Sequence, residues 1–432
     1  MSKRNLLLLF LLLCPFAGAR SANDVLKLYF KSIGIQQGLS HQMVNAIVKD
    51  PQGFIWIGTA EGLNRYDGTE FHVYRHEPGN PCSLSTSWIN CLYITRDGRL
   101  FIGTEKGVNV YNAQKENFER ISAENDSRNL LGNLRIRCFC EDSKGYLWIG
   151  TLDGLIRFDR RNGLISFYKL NHYDRDKMHN EVRSLCEDSA GRLWIGTFDG
   201  LYCRETESGV FKSVPLKGNP GDGNCLISGL HIQPEDPHTL YIAATGGLRV
   251  FDTETGGERH YHTANSGIAS NDVRDVTRYD ATHVLAATSS GLSVFDIPSG
   301  GFTNFANSIT DPVSLPTQIV RCLFQDDNGL VWLGTNYGVA CCNSHRRPID
   351  VHYINDTDAE GHTTRETITD IAVLPGEIWI GTNNGLMCYS PDMRLKRHFT
   401  TKNSLLPHNN IKRILTDRSG IMWIGTNNGV VY

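Results

Sequence analysis

The chain lacks an excess of charge of either sign. Its 432 residues carry 43 lysines and arginines against 46 aspartates and glutamates, a net charge of −3. That balance removes any bulk electrostatic case for nucleic acid or for an anionic membrane surface as partner. Short enzyme motifs are missing as well. No serine sits in a G-x-S-x-G elbow, no histidines form an H-E-x-x-H pair, and there is neither a phosphate-binding loop nor a dinucleotide fingerprint. These absences leave open only an enzyme whose site is assembled from loops distant in sequence. Long apolar runs are also scarce. The single candidate is residues 6–13, with Lys3 and Arg4 before it and Ala17-Gly18-Ala19 after it. This is the layout of a secretory signal peptide, residues 1–22, cleaved after Ala19 or Ala22. Leu13 ahead of Cys14 fits a lipoprotein cleavage box poorly, and the run is short for a bilayer span. The mature chain is expected to be exported and to have no membrane span.

Cysteine is not scarce, and twelve in an exported chain raise the prospect of a disulfide framework. Their placement argues for mostly free, buried thiols. Cys91, Cys138 and Cys322 occupy one repeat position, where a small apolar side chain suits a crowded spot. Cys341 and Cys342 are adjacent and point to opposite strand faces, which suits neither a mutual bridge nor a metal pair.

What is abundant is repetition. The phrase D-x-x-G-x-x-W-I-G-T-x-x-G-L-x-x-(Y/F)-D recurs around Gly58, Gly103, Gly150, Gly196, Gly334, Gly381 and Gly425, with worn copies at Ala244 and Ala287. Successive centres lie 43 to 48 residues apart. A fixed period of that size is the mark of four-stranded propeller blades. Asp50, Asp97, Asp142, Asp188, Asp326 and Asp417 each open a tight turn closed by glycine, so repetition marks them as structural rather than catalytic. The glycine usually follows three places later, unlike the Asp-box of sialidases, where it follows by two. Tryptophan recurs at Trp56, Trp148, Trp194, Trp332, Trp379 and Trp423, as expected of a ring that packs neighbouring sheets. Trp88 alone lies outside this pattern, in a loop before an inner strand, and is the better candidate for stacking on a sugar.

Function must sit where the units differ. Aligning the inner strands brings one variable row into view: Asn45, Asn90, Arg137, Arg183, Ser228, Arg274, Arg321, Thr369 and Lys412. Arg137, Arg183, Arg274 and Arg321 are candidates for the mouth of a central channel, since a guanidinium fork suits carboxylate or sulfate groups. The bland alternative pairs them with Asp275, Asp272, Glu181 and Glu187, or leaves them facing water. The loops between second and third strands should share that face, and there Phe198 and Tyr337 suit sugar stacking. No cofactor and no metal are expected.

Seven units close well into a ring without an exposed sheet edge. A strand at residues 26–31 has no blade of its own and is expected to complete the seventh unit. Residues 344–348 then read as a linker, with residues 349–354 beginning a second ring. The expected architecture is therefore all-β: a seven-bladed β-propeller over residues 23–348, followed by the first two blades of a second, incomplete propeller over 349–432. A single ring of eight or nine blades is the alternative.

The units resemble the two-component regulator propeller repeat. Residues 38–44, G-L-S-H-Q-M-V, with residues 56–68, W-I-G-T-A-E-G-L-N-R-Y-D-G, look like the first blade of the sensor region of bacterial hybrid two-component systems. The loops at residues 78–84 and 311–315 match that family's habit before an inner strand. The resemblance covers essentially residues 24–432. It implies two seven-bladed periplasmic propellers and a β-sandwich, then a transmembrane helix, histidine kinase, receiver and DNA-binding domain. It also implies oligosaccharide sensing, a periplasmic location, and room for a homodimer in the full-length setting. This sequence stops before the β-sandwich, membrane helix and kinase, so it is expected to be an N-terminal fragment or an interrupted gene product without kinase activity. The leading expectation is a sensor segment binding an oligosaccharide, acidic ones included. A secreted lyase or glycoside hydrolase and a protein-interaction scaffold remain the alternatives, and the family's ligand could lie where two propellers meet.

Overall fold

The computed structural model describes residues 26–170, 180–204, 211–217, 225–311, 313–343, 354–357, 363–417 and 419–432. The expected signal peptide, the linker at 344–348 and most of the strand at 349–354 lie outside the described residues. Strands dominate what is described, and they form four-stranded antiparallel sheets of the propeller kind. Contacts divide the chain into a larger unit holding the first seven of these sheets and a smaller unit holding the last sheets.

One sheet shows how the repeat phrase makes its strands. In the third sheet, Ile136–Glu141, Leu147–Thr151, Gly154–Asp159 and Leu164–Tyr168 lie side by side in chain order. Asp142 closes the first turn by accepting the Tyr146 amide on Oδ1 at 2.9 Å and the Trp148 indole N–H on Oδ2 at 2.8 Å. The same pair of bonds forms from Asp50 to Phe54 and Trp56, and from Asp188 to Arg192 and Trp194. The repeated aspartates are therefore scaffold: one carboxylate satisfies two buried donors that would otherwise be costly. Thr151 finishes the phrase by donating its hydroxyl to the Gly154 carbonyl at 2.8 Å, and Thr59, Thr104, Thr197, Thr288 and Thr335 do the same in their sheets.

The glycine of W-I-G-T has a packing reason. A Cβ on Gly150 would fall on the Cys138 sulfur and within 2.8 Å of Val182 Cγ1 in the next sheet. Gly103 faces Cys91 and Ile136 in the same way, and Gly334 faces Cys322 and Val44. The glycine is a socket, filled from its own sheet by the small inner residue and from the next sheet by a β-branched knob. The fifth sheet exchanges the two sizes, with Gly229 on the inner strand opposite Ala243, so the unit's centre is Ala243 and the expected Ala244 holds the place of the threonine. That exchange accounts for the worn copy of the phrase. The eleven described cysteines stand as free thiols. Burial pushes the Cys322 thiol up to about 12 and the Cys138 thiol well above its ordinary range.

The inner strands of the first unit neighbour one another in order: Val44–Lys49, Ile89–Ile94, Ile136–Glu141, Val182–Glu187, Ile227–Gln233, Val273–Arg278 and Val320–Gln325. The last of these contacts the first. The chain's first strand, Lys31–Ile33, pairs with Gly338–Asn343 and completes the seventh sheet. It lies later than the expected residues 26–31. Leu28 and Phe30 instead pack into the apolar cluster of the sixth and seventh sheets without ladder bonds.

In the second unit, Ile368–Leu374, Glu377–Thr382, Gly385–Tyr389 and Leu395–Phe399 form a four-stranded sheet. Ile411–Thr416, Met422–Thr426 and Gly429–Val431 form a three-stranded one. A short hairpin of Asn355–Thr357 and Thr363–Arg365 precedes them.

Candidate ligand cavity

Every inner strand is broken at the same place. Its pairing with the second strand skips one residue: Asn45, Asn90, Arg137, Arg183, Ser228, Arg274 and Arg321 in the first unit, Thr369 and Lys412 in the second. A bulge leaves its extra residue out of the ladder and re-aims the side chain. The variable row found by alignment is thus the bulge row. All seven bulge residues of the first unit line one cavity of about 720 Å³, together with Trp88, Glu105, Arg135, Leu226 and Asp272. Trp88, Arg135, Leu226 and Asp272 each stand immediately before a buried β-branched residue that opens an inner strand. The carbonyls of this preceding row accept amides from the loops after the second strands. Glu105 N–H bonds to Trp88 O, Leu152 to Arg135, Phe198 to Glu181 and Ser289 to Asp272. These bonds tie the inner-strand starts and the loops into one face.

The electrostatics divide the arginines. Arg137 Nε lies 2.7 Å from Glu181 Oε1, and Arg183 Nε donates to that oxygen at 3.2 Å. Arg274 holds Asp272 Oδ2 through Nε and a terminal nitrogen, at 3.1 and 2.9 Å. Arg135 pairs with Glu105, which also accepts Asn90 Nδ2 at 3.0 Å. Arg321 differs: it donates to the neutral oxygens of Asn45 at 3.0 Å and Asn336 at 3.3 Å. Desolvation lowers the Arg137 pKa, against the pull of Glu181 and with the push of Arg183 and Arg135. Desolvation lowers Arg321 too, with Arg274 adding to it.

Two of the four expected acids, Asp272 and Glu181, take up arginines. Asp275 and Glu187 are engaged elsewhere. Asp275 accepts the Leu323 and Val276 amides, each at 2.8 Å, and Glu187 accepts the Ser143 amide and hydroxyl at 2.7 and 2.9 Å.

Five of the seven residues singled out from sequence meet at this cavity: the four arginines and Trp88, whose residue is 41% exposed. Phe198 and Tyr337 do not line it. Phe198 is half-buried, its backbone fastened to Glu181. Tyr337 is exposed and lines a separate cavity of about 410 Å³ with Ile33, Gln42 and Pro316, where the first strand closes the seventh sheet. Sequence position put both aromatics on the right loops, but only side-chain direction decides what a loop residue faces. Arg135 was missed because it precedes the bulge row, and only the folded strand starts bring the two rows together. Among the described residues no three His, Cys, Asp or Glu side chains gather to hold a metal ion. No helix among them is long and apolar enough to cross a membrane.

Six segments match the family described as two component regulator propeller: residues 38–61, 83–106, 129–153, 176–199, 314–337 and 405–428. In these six segments the chain carries the two-component regulator propeller repeat. The units centred on Ala243, Ala287 and Gly381 are outside these matches. Histidine kinase P4 of Formosa agariphila is 38% identical over 78 residues, which is 18% of this chain and 5% of that protein. The extracellular domain of a hybrid two-component system from B. thetaiotaomicron has the same fold. It is 22% identical at a TM-score of 0.62, over 94% of this chain and 52% of that one. Virginiamycin B lyase from Staphylococcus aureus is also similar in fold, 12% identical at a TM-score of 0.55, over 73% of this chain and 99% of that one. The chain spans about half the length of the first of these solved domains and a small part of the kinase.

Proposed function

We propose that this chain is the ligand-sensing propeller segment of an exported two-component signalling receptor, and that it takes an oligosaccharide in the bulge-row cavity. The observation that carries this reading is convergence: every unit of the first seven contributes its bulge residue to one cavity. These are the positions at which the repeats differ. Guanidinium forks, side-chain amides and an exposed indole are the groups that hold sugars with acidic and hydroxyl substituents. The repeat family and the fold of the B. thetaiotaomicron domain support a receptor role and a periplasmic place for it. The role proposed is recognition without catalysis.

The first unit is read as a closed ring of seven blades, with residues 23–348 as its domain. The second, residues 349–432, is read as two blades of another ring. Packing supports that reading. Every other strand-opening β-branched residue is fully buried, whereas Ile368 is 44% exposed. Every other socket glycine receives a knob from the next sheet, whereas the nearest atom to a Cβ on Gly425 would be 3.8 Å away. One free knob and one empty socket are what two blades without neighbours present.

Calorimetry of the chain against neutral, uronic and sulfated oligosaccharides tests the proposal. Binding without turnover, lost when Arg183 and Arg321 are both replaced by alanine, is the expected result. Turnover of any sugar would establish the secreted-enzyme alternative instead, and unchanged affinity in the double variant would discard this cavity.

A further inference from the structure

The cavity's charges do not cancel. Arg135, Arg137, Arg183, Arg274 and Arg321 meet three carboxylates there, Glu105, Glu181 and Asp272, leaving two positive charges in surplus. The surplus is localised. Glu181 is shared by two guanidiniums, and among the described residues Arg321 has no carboxylate partner. Its terminal nitrogens rest on the side-chain oxygens of Asn336 and Asn45, and its Nε is buried without a hydrogen bond. Asp275, on the inner strand of the neighbouring sheet, is committed to backbone amides.

An arginine stays charged at any physiological pH, so a half-buried guanidinium on neutral acceptors bears a desolvation cost that no carboxylate among the described residues offsets. An incoming oxyanion would offset it. Resting on the sugar-binding reading above, we infer that Arg321, flanked by Arg274, is an anion subsite that selects oligosaccharides carrying a carboxylate or sulfate group. Asn45 holds the fork in place from the neighbouring sheet, itself anchored by donating its amide to the Ile89 carbonyl at 2.8 Å. Trp88 offers the apolar face for a sugar ring on the same cavity wall.

Isothermal calorimetry on the full chain decides it, with four probes: trigalacturonate, its methyl ester, a sulfated disaccharide, and inorganic sulfate. The expected result is that at least one acidic sugar binds roughly tenfold or more tighter than the neutral ester, as a charge-assisted bidentate contact requires. That preference should weaken with added sodium chloride. Arg321→Gln should abolish it, and Arg321→Lys, which keeps the charge but not the fork, should retain part of it. Thermal unfolding of both variants checks that they fold. Equal binding of acid and ester would overturn the anion subsite and leave the sugar-binding reading standing. Arg321-dependent binding of inorganic sulfate as tight as that of the sugars would also overturn the inference, by making a free anion the ligand. Failure of every saccharide to bind would sink both readings together.

Discussion

Adding one methyl group at Gly150 should cost stability through steric overlap between two sheets. The backbone there is ordinary extended strand, so the cost is wholly steric. The new Cβ would collide with the Cys138 sulfur from its own sheet and with Val182 of the next, 2.8 Å from Cγ1 and 2.9 Å from the carbonyl oxygen. The carbonyl cannot rotate away, because it belongs to the strand that opens the fourth sheet. Overpacking of this kind costs about 1–3 kcal/mol. The fifth sheet supplies the rescue, since it places alanine at the socket and glycine opposite. Cys138→Gly alone should cost about 1–2 kcal/mol, from the lost thiol and the added backbone freedom. If the two costs were independent, the double variant would lose about 2–5 kcal/mol. Built as Gly229 and Ala243 are, it should lose only about 1–2 kcal/mol, a favourable coupling of at least about 1 kcal/mol. Urea unfolding followed by tryptophan fluorescence measures all four corners of the cycle. Gly150→Ala within about 0.5 kcal/mol of the parent chain, or a cycle that is additive, would refute the socket account.

Three further outcomes are expected. Gly425→Ala should change stability by less than about 0.5 kcal/mol, because a Cβ there meets nothing closer than 3.8 Å; a loss like that at Gly150, in the same urea titration, would contradict the empty socket. Asp142→Ala should cost about 2–4 kcal/mol, since it strands the Trp148 indole N–H and the Tyr146 amide; thermal unfolding checks it. Burial pushes the Asp275 pKa up to about 6, against the pull of two backbone amides. The folded state then holds its proton above the unfolded pKa, so this contribution to stability is full below pH ~4 and is lost as pH rises through about 6. Relative to Asp275→Asn, which does not titrate, the parent chain should lose about 2–3 kcal/mol of stability between pH 4 and 7. A pH-independent difference in urea midpoints would refute that.

The repeat made the architecture legible before any coordinates. Aspartate, glycine, tryptophan and threonine at fixed offsets make the same local bonds in most of the sheets, so four strands per unit and their turns follow from the chain alone. The variable row was also visible, because a position that changes among arginine, asparagine and serine in an otherwise uniform frame marks the place where the frame makes no demand. Register slips at single residues were not visible. Nothing local distinguishes Arg137, which leaves the ladder, from Cys138, which stays in it and fills a glycine socket across the sheet.

Tertiary structure alone settled the rest. Whether Phe198 or Tyr337 reached the cavity depended on side-chain direction at the loop, and both turned elsewhere. Which arginines kept a partner depended on acids two residues or a whole sheet away. Glu181 is shared by Arg137 and Arg183, Asp275 was taken by Leu323 and Val276, and Arg321 was left on two amides. The sequence by itself determined the scaffold, because scaffold bonds are short-range and repeat with the phrase. Only the folded ring of strand starts decided the charge of the cavity, because that charge is a sum over residues some 45 positions apart that meet nowhere else.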